Sequence, residues 1–210
     1  MKLPLRKSVV GLASGVFIGL QGLAPALQAQ ASPGPSNQAP PVEAAAAQQK
    51  DNEEYLAKLD GVPGFGGIAF GADIDPLKKT LKVEQDRGPL VIYKKDGADL
   101  SFGSALLDEV LYYFYEGKFY GVALHTDDGQ DTLALKEVFQ FAFGPGQSPG
   151  DSAPTTAWIG KKNGAIFDIN LSSGEGSAFL FDQKIHDQYL TYQSQSAEKA
   201  AAALLKGEQP

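Results

Sequence analysis

The chain has 210 residues, of which 43% are hydrophobic and 10% aromatic, which is enough apolar material for one packed globular domain. Its 25 acidic residues outnumber its 18 lysines and arginines, and the formal net charge of -7 argues against nucleic acid or an anionic membrane surface as a partner. It contains no cysteine, which excludes disulfides, cysteine-bound metals and a lipid anchor attached through cysteine.

Residues 1–31 have the three-part order of a secretory signal peptide. A basic start is supplied by Lys2, Arg6 and Lys7. The uncharged, mainly apolar stretch 9–20 fits the ~7–15-residue hydrophobic region of a signal peptide and is shorter than the ~20 residues that span a bilayer. Ala29 and Ala31 form an A-x-A cleavage site, with cleavage after Ala29 or retention as a membrane anchor as the alternatives. We therefore expect a periplasmic or secreted product with no stable membrane span.

A flexible tether is expected after the signal peptide. Residues 32–49 are rich in Pro, Ala and Gln and lack aromatic residues, so they bury too little apolar surface to offset the entropy lost on ordering. A short helix is expected at residues 51–59, ended by Gly61 and Pro63. The tether with this helix makes up residues 32–61, and the folded domain is expected at residues 62–186.

The sequence of the first part of the domain predicts three strands and one helix. A short buried strand is expected at residues 67–71. Asp75-Pro76 favours the start of a helix that extends to about Val83, because Asp caps free amides and Pro fits the first turn. Two strands are then expected at residues 90–94 and 98–102, joined by the turn dipeptide Asp96-Gly97.

An aromatic β-hairpin gives the strongest local signal. Apolar-aromatic strands at residues 110–115 and 118–125 flank Glu116-Gly117. With these two residues in the turn, the expected opposed pairs are Tyr115 with Lys118, Phe114 with Phe119, and Tyr113 with Tyr120. The more apolar side, expected in the core, carries Val110, Tyr112, Phe114, Phe119 and Ala123. The other side carries Leu111, Tyr113, Tyr115, Lys118, Tyr120 and Val122.

The tyrosine-rich side of this hairpin is the candidate binding surface. A tyrosine ring buries apolar area while its hydroxyl stays hydrated, a combination that is favoured at protein interfaces. The candidate contacts for a protein or peptide partner are Tyr113, Tyr115, Lys118 and Tyr120. The sequence leaves open the alternative that helices cover this side and that the tyrosines are core or rim residues.

A helix and three strands are expected after the hairpin. Asp131 is expected to cap a helix whose apolar residues recur at helical spacing and which ends at Gly144-Pro145-Gly146. Strands are expected at residues 156–159, 165–171 and 177–181. The C-terminal tail, residues 187–210, contains an Ala-rich helix at residues 197–205, and its packing on the domain is left open.

The order of the elements predicts an α+β domain with a mainly antiparallel sheet and helices on one face. Two tandem helix-plus-strands units also fit, because Lys94-Lys95-Asp96-Gly97 is similar to Lys161-Lys162-Asn163-Gly164. The helix at residues 136–145, which ends in Gly-Pro ahead of Trp158, resembles the β-lactamase-inhibitor-protein type of architecture and the related small outer-membrane-assembly lipoproteins. The resemblance spans about residues 65–182, implies a tandem α+β fold, and carries over no functional residue.

No segment of the sequence has a complete catalytic or metal-binding pattern. Gly150-Asp151-Ser152 is not followed by the glycines that shape the oxyanion hole of trypsin-like proteases. The glycine-rich residues 64–69 precede a strand, whereas a dinucleotide site needs a helix there. Asp127, Asp128 and Asp131 lack the residue order of a calcium loop and are expected in a turn and a helix cap.

We therefore expect a non-catalytic binding module for a protein or peptide in the cell envelope, without metal or cofactor. Two alternative classes stay open, namely a hydrolase of envelope polymers and a binder of a small apolar molecule. The sequence leaves the oligomeric state undetermined.

Overall fold

A seven-stranded antiparallel sheet organises the computed structural model, which describes residues 42–150 and 153–207, with side chains from Asp51 onward. The signal peptide with its cleavage residues Ala29 and Ala31, and the first part of the tether, lie outside the described residues. The helices are α1 Val42–Asp60, α2 Gly129–Phe143 and α3 Gln183–Leu205. The strands are β1 Gly64–Phe65, β2 Ile68–Ala69, β3 Leu81–Arg87, β4 Leu90–Lys95, β5 Ser101–Phe102, β6 Ala105–Leu106, β7 Glu109–Tyr115, β8 Lys118–Thr126, β9 Thr155–Ile159, β10 Asn163–Ile169 and β11 Gly176–Asp182.

The strands of the large sheet lie in the order β3-β4-β7-β8-β11-β10-β9, and every neighbouring pair is antiparallel. Strands β1 and β2, and strands β5 and β6, form two small separate hairpins. The expected α+β class with a mainly antiparallel sheet is confirmed. Because β8 pairs with β11, one sheet runs without a break through both halves of the chain.

Helices cover both faces of this sheet. We call the face beneath α1 and α2 the front face, and its core includes Trp158, Phe167, Phe114 and Leu135. Helix α3 packs on the opposite face, here the back face, against a cluster built on Phe179, Phe181 and Tyr120. The expectation of helices on one face therefore holds for α1 and α2. It does not hold for α3, which starts directly after β11 and crosses the other side.

Helix α1 belongs to the packed domain. It begins at Val42, so the expectation that residues 42–49 are a flexible tether is wrong: this segment contains four consecutive alanines, which have the highest helix propensity. Leu59 near its end is fully buried. The Asp60 carboxylate accepts hydrogen bonds from the N–H groups of Lys161, Lys162 and Asn163 at 2.9, 2.7 and 3.1 Å. The end of α1 thus packs on the sheet, ahead of the expected domain start at residue 62.

The segment between residues 75 and 102 differs from its expectation. Asp75–Leu77 form only one 3-10 turn, and the chain is a strand again from Leu81, so the helix to about Val83 is wrong. Gly88, with φ of +75°, makes the turn that pairs β3 with β4. Strand β4 therefore lies between β3 and β7, and β5 pairs with β6 instead of with β4.

The starts of α2 and α3 also differ from expectation. Asp128 rather than Asp131 caps α2, since its carboxylate accepts hydrogen bonds from the N–H groups of Gln130 and Asp131. Helix α3 begins at Gln183 rather than at residue 197, because the Asp182 carboxylate accepts from the Ile185 N–H at 2.8 Å. None of the three described helices is long and apolar enough to cross a membrane.

Candidate functional site

The β7–β8 hairpin is confirmed, with a shift in its pairing. Glu116 and Gly117 have φ of 47° and 77°, the left-handed conformations that a tight two-residue turn requires. The pairs Tyr115 with Lys118 and Phe114 with Phe119 form as expected. A β-bulge follows, so that Tyr113 lies opposite Gly121 instead of Tyr120. The expected pairing of the two tyrosines is therefore wrong by one residue.

Beyond the bulge, each residue of β8 faces the side of the sheet opposite to the one expected from the sequence. Val122 and Leu124 lie in the front core, whereas Ala123 lies in the back cluster. The expected sides of Val122 and Ala123 are thus reversed, because one extra residue in β8 shifts the alternation by one position. Gly121 permits this course, since a Cβ there would lie 2.6 Å from the Phe179 ring.

The tyrosine-rich side of the hairpin is covered by α3. Tyr115 and Tyr120 are only 6% and 2% exposed, and Tyr113 is half-buried. The Tyr189 ring of α3 lies 5.7 Å from that of Tyr115 and 6.0 Å from that of Tyr120. Burial raises the pKa of the Tyr113 and Tyr120 hydroxyls. The sequence left open whether the tyrosine side is exposed or covered by helices, and in the structure a helix covers it.

Lys118 is the exposed member of the predicted site. Its ammonium group lies 2.6 Å from the Asp73 carboxylate, in the connection after β2. The three tyrosines and Lys118 therefore do not form one open surface while α3 is in place.

His186 anchors α3 on the tyrosine side. It is 8% exposed, and its ring centroid lies 4.3 Å from that of Phe181 and 6.1 Å from that of Tyr120. Burial lowers the pKa of the imidazole, and the neighbouring Asp187 carboxylate opposes this shift. The neutral ring is thus the form that suits the packed helix.

The rest of the back face is open. Beyond the α3 cluster, five neighbouring strands present side chains that are half-buried or, for Asp168, exposed, and we call this surface the open shelf. Its members are Glu109, Leu111, His125, Thr155, Ala157, Ile166, Asp168 and Ser177. Five strands at about 4.8 Å spacing make a floor about 19 Å wide. Leu111 and Ile166 join this floor to the apolar cluster beneath α3.

One row of the open shelf is polar. Directly opposed positions carry, from strand to strand, Glu109, His125, Ser177, Asp168 and Thr155. The Thr155 hydroxyl donates to the Asp168 carboxylate at 2.5 Å, and the Lys94 ammonium donates to the Glu109 carboxylate at 2.7 Å. The bond to Glu109 raises the pKa of Lys94. Burial lowers the pKa of His125, and Glu109 and Asp127 oppose that shift.

The neighbours Glu109, His125 and Ser177 have the residue types of an acid, a base and a nucleophile. Among the described residues, however, no hydrogen bond joins Ser177 to His125 or His125 to Glu109, whose carboxylate is bonded to Lys94. The backbone amides of β8 and β11 are occupied by ladders on both sides, so they supply no oxyanion hole. Within the described part of the chain, the row therefore has no hydrogen-bonded relay of acid, base and nucleophile.

An acidic rim borders the open end of the shelf. Its members are Asp108, Asp127 and Glu175, all exposed. The Asp127 N–H donates to the Asp108 carboxylate at 2.6 Å, and burial together with the Asp108 and Glu175 charges raises the pKa of the Asp127 carboxyl. In residues 42–150 and 153–207, none of these three, nor Asp168, forms an ion pair with a lysine or arginine. No group of side chains in these ranges fits a metal ion.

The two best-formed pockets of the described chain are small. An apolar one between α2 and the small hairpins has about 60 Å³ and is lined by Phe65, Phe102 and Phe139 among others. The second, of about 210 Å³, lies beside Lys94 and Asp108. Sites for small organic ligands enclose roughly 300–1,000 Å³. These pockets therefore give no support to the small-ligand alternative.

Sequence reasoning missed the open shelf because of the bulge. Without it, Glu109 would lie opposite Leu124, and the polar row across β7, β8 and β11 would not align. The only local mark of the shift is Gly121, a glycine inside an apolar strand, which is typical of a bulge.

Comparison of the sequence with models of protein families and with curated proteins, and of the fold with solved structures, returns no match. The resemblance to the β-lactamase-inhibitor-protein type therefore stays a prediction that rests on element order.

Proposed function

We propose that this chain is an exported, non-catalytic module that binds a protein or peptide in the cell envelope through the open shelf. The observation that carries the proposal is the polar row on the back face, whose side chains are partly or fully exposed, with Leu111 and Ile166 beside it, both partly buried against the α3 cluster. An apolar centre with a polar border is the usual composition of a protein interface. The signal pattern of residues 1–31 supports export to the periplasm or beyond.

The sheet edges are less suited to a partner than the sheet face. Strand β3 is an outer strand with a bulge between Val83 and Gln85, and its other exposed residues are mostly charged. Charges and bulges are devices that prevent another strand from pairing with an edge. At the opposite edge, the Gln147 N–H donates to the Ala157 carbonyl at 2.7 Å, and the Ala157 N–H donates to Gln147 at 2.8 Å. Strand addition is therefore disfavoured at both edges.

A hydrolase of envelope polymers is the second candidate, and it depends on the row of Glu109, His125 and Ser177. A serine-directed fluorophosphonate probe tests it with purified protein. Labelling that is lost in both Ser177→Ala and His125→Gln would favour the hydrolase. We expect no labelling, because among the described residues no hydrogen bond joins the Ser177 hydroxyl to a base, and the amides of β8 and β11 are paired within the sheet.

Photo-crosslinking in cells tests the binding proposal. A photoreactive side chain is placed at Ser177 on the shelf and, as controls, at Phe141 on α2 and Val83 on the outer strand β3, which are 85% and 59% exposed. We expect one discrete adduct from Ser177 and none from the controls. The adduct should disappear when Leu111→Asn is added, since this removes apolar floor. Adducts from the controls alone, or an adduct indifferent to Leu111→Asn, would contradict the proposal.

Export is checked separately by cell fractionation and N-terminal sequencing of the purified chain. The signal pattern predicts a mature chain that starts at Ser32 in the periplasmic or secreted fraction. Recovery of an intact Met1 with the inner membrane would contradict it.

A further inference from the structure

Five of the eight tyrosines of the chain form a connected set of ring contacts between α3 and the sheet. They are Tyr113, Tyr115 and Tyr120 of the β7–β8 hairpin and Tyr189 and Tyr192 of α3. The Tyr115 ring touches both helix residues, with centroids 5.7 Å from that of Tyr189 and 6.2 Å from that of Tyr192. Phenol rings are thus paired across the junction between α3 and β7.

The composition of the chain directs oxidation to its aromatic rings. Sulfur-bearing side chains are the usual first targets of oxidants, but the chain has no cysteine and its single methionine is Met1. From residue 2 onward, phenol and indole rings are therefore the most easily oxidised groups. The single tryptophan, Trp158, is 1% exposed in the front core. A one-electron oxidant in solution should consequently react first at an exposed tyrosine.

Tyr192 is the tyrosine that such an oxidant reaches most easily. Its side chain is 39% exposed, more than that of any other of the eight tyrosines, all of which the structure describes. The neighbouring Tyr115 is 6% exposed, and the two ring planes are inclined by 51°. Their separation lies within the roughly 4.5–7 Å of contacting aromatic pairs. Residues of α3 beyond Gln193 are almost all exposed, so Tyr192 lies at the end of the packed turns, where its ring has room to move towards Tyr115.

We propose that Tyr192 and Tyr115 are a site of oxidative crosslinking, at which a peroxidase with hydrogen peroxide joins the two rings as dityrosine. Each phenol loses one electron and one proton, and the two phenoxyl radicals form a bond between the ring carbons next to their hydroxyls. The hydrogens displaced from these carbons move to the two oxygens, so the product keeps both hydroxyls. Hydrogen peroxide accepts the two electrons and two protons and becomes two molecules of water.

The new bond would fix α3 over the tyrosine side of the hairpin. It closes a long loop of the chain, because Tyr115 and Tyr192 are far apart in the sequence. A covalent closure of this kind stabilises a protein mainly by lowering the entropy of its unfolded chain. The crosslinked chain should therefore unfold at a higher urea concentration than the untreated chain. This site is independent of any partner on the open shelf.

Peroxidase treatment of the purified chain tests the proposal. Dityrosine fluorescence is recorded, and the monomeric fraction is then isolated and digested with trypsin. The lysine positions place Tyr115 in the fragment 96–118 and Tyr192 in the fragment 185–199. We expect the monomer to fluoresce, and we expect the two fragments to be recovered as one species that is two hydrogens lighter than their sum.

Three variants identify the rings that react. Tyr192→Phe and Tyr115→Phe keep the ring and remove the hydroxyl, and each should abolish the linked species and the rise in urea midpoint. Tyr55→Phe, at a half-buried position on α1, is the control and should leave both unchanged. Circular dichroism of each variant checks that it is folded. Fluorescence confined to covalent dimers, or a linked species that persists in Tyr192→Phe through Tyr189 of the same fragment, would overturn the proposal.

Discussion

The two halves of the back face differ in what lies over them. The half near the β7–β8 turn carries Tyr113, Tyr115 and Tyr120 and is covered by α3. The half near the other ends of these strands carries the polar row and stays open. The more aromatic half, which composition favours as an interface, is the buried one. Exposure of a sheet face therefore depends on a helix more than 60 residues further along the chain.

Among the changes that test this difference, removal of α3 should lower the free energy of unfolding most. A chain that stops after Asp182 uncovers Tyr115, Tyr120, Phe179 and Phe181, each of which contributes roughly 1.5–3 kcal/mol when fully buried. We expect the free energy of unfolding to fall by more than about 4 kcal/mol and a hydrophobic dye to bind.

A matched truncation keeps the packed turns of α3. A chain that ends after Gln193 lacks residues that are almost all exposed. Its free energy of unfolding, measured with denaturant, should therefore change by less than about 1 kcal/mol. Equal losses from both truncations would show that the far part of α3, and not its contact with the tyrosines, stabilises the domain.

Replacing two tyrosines should have the next largest effect. In Tyr113→Ser with Tyr120→Ser, two rings leave the cluster beneath α3, and truncation of a single buried aromatic residue costs about 3–5 kcal/mol. We expect chemical denaturation to show a loss above about 3 kcal/mol. Tyr192→Ser, at a position 39% exposed, is the control and should cost less than about 1 kcal/mol. A small loss in the double variant would mean that the tyrosine side is open in solution.

The pH dependence of α3 docking is a smaller effect. Burial holds the pKa of His186 below its ordinary value. The imidazole therefore binds a proton more readily when α3 is released than when it is packed on the sheet. The packed form loses stability as pH falls below about 6.5 towards the lowered pKa. The groups facing the imidazole are Tyr120 of β8 and Asp187 of its own helix, and the latter opposes the loss.

His186→Gln checks this effect by urea unfolding at pH 7 and pH 5. We expect the variant to lose less stability between these pH values than the unaltered chain does. The pKa of His125 is also lowered, so His125→Gln is compared in parallel and should change the slope without changing α3 docking. An unchanged slope in His186→Gln would contradict the burial of a neutral imidazole.

Substitutions on the open shelf should have the smallest effect on the free energy of unfolding. Ser177→Ala alters a small half-buried side chain and Asp168→Asn an exposed one, and neither belongs to the apolar core. Each should change the free energy of unfolding by less than about 0.5 kcal/mol, measured as for the tyrosine variants. A loss comparable to that of the tyrosine pair would remove the distinction between the two halves.

The sequence predicted what depends on neighbours along the chain. The β7–β8 turn follows from Glu116-Gly117, and the helical spacing of Leu135 and Phe139 correctly predicted α2. The covering of the tyrosines by Tyr189 and His186 could not be predicted, because it depends on where α3 turns after Asp182. The polar row of the shelf also escaped prediction, since it needs the bulge beside Gly121 to bring Glu109 opposite His125.

Crosslinking from the two halves of the back face, compared in one experiment, shows which half binds a partner. A photoreactive side chain at Ser177 reports on the open shelf, and the same side chain at Tyr192, which is 39% exposed beside Tyr115, reports on the covered half. We predict an adduct from Ser177 that is absent from Tyr192. An adduct from Tyr192 alone would place the partner on the covered half and contradict the assignment of the shelf as the binding surface.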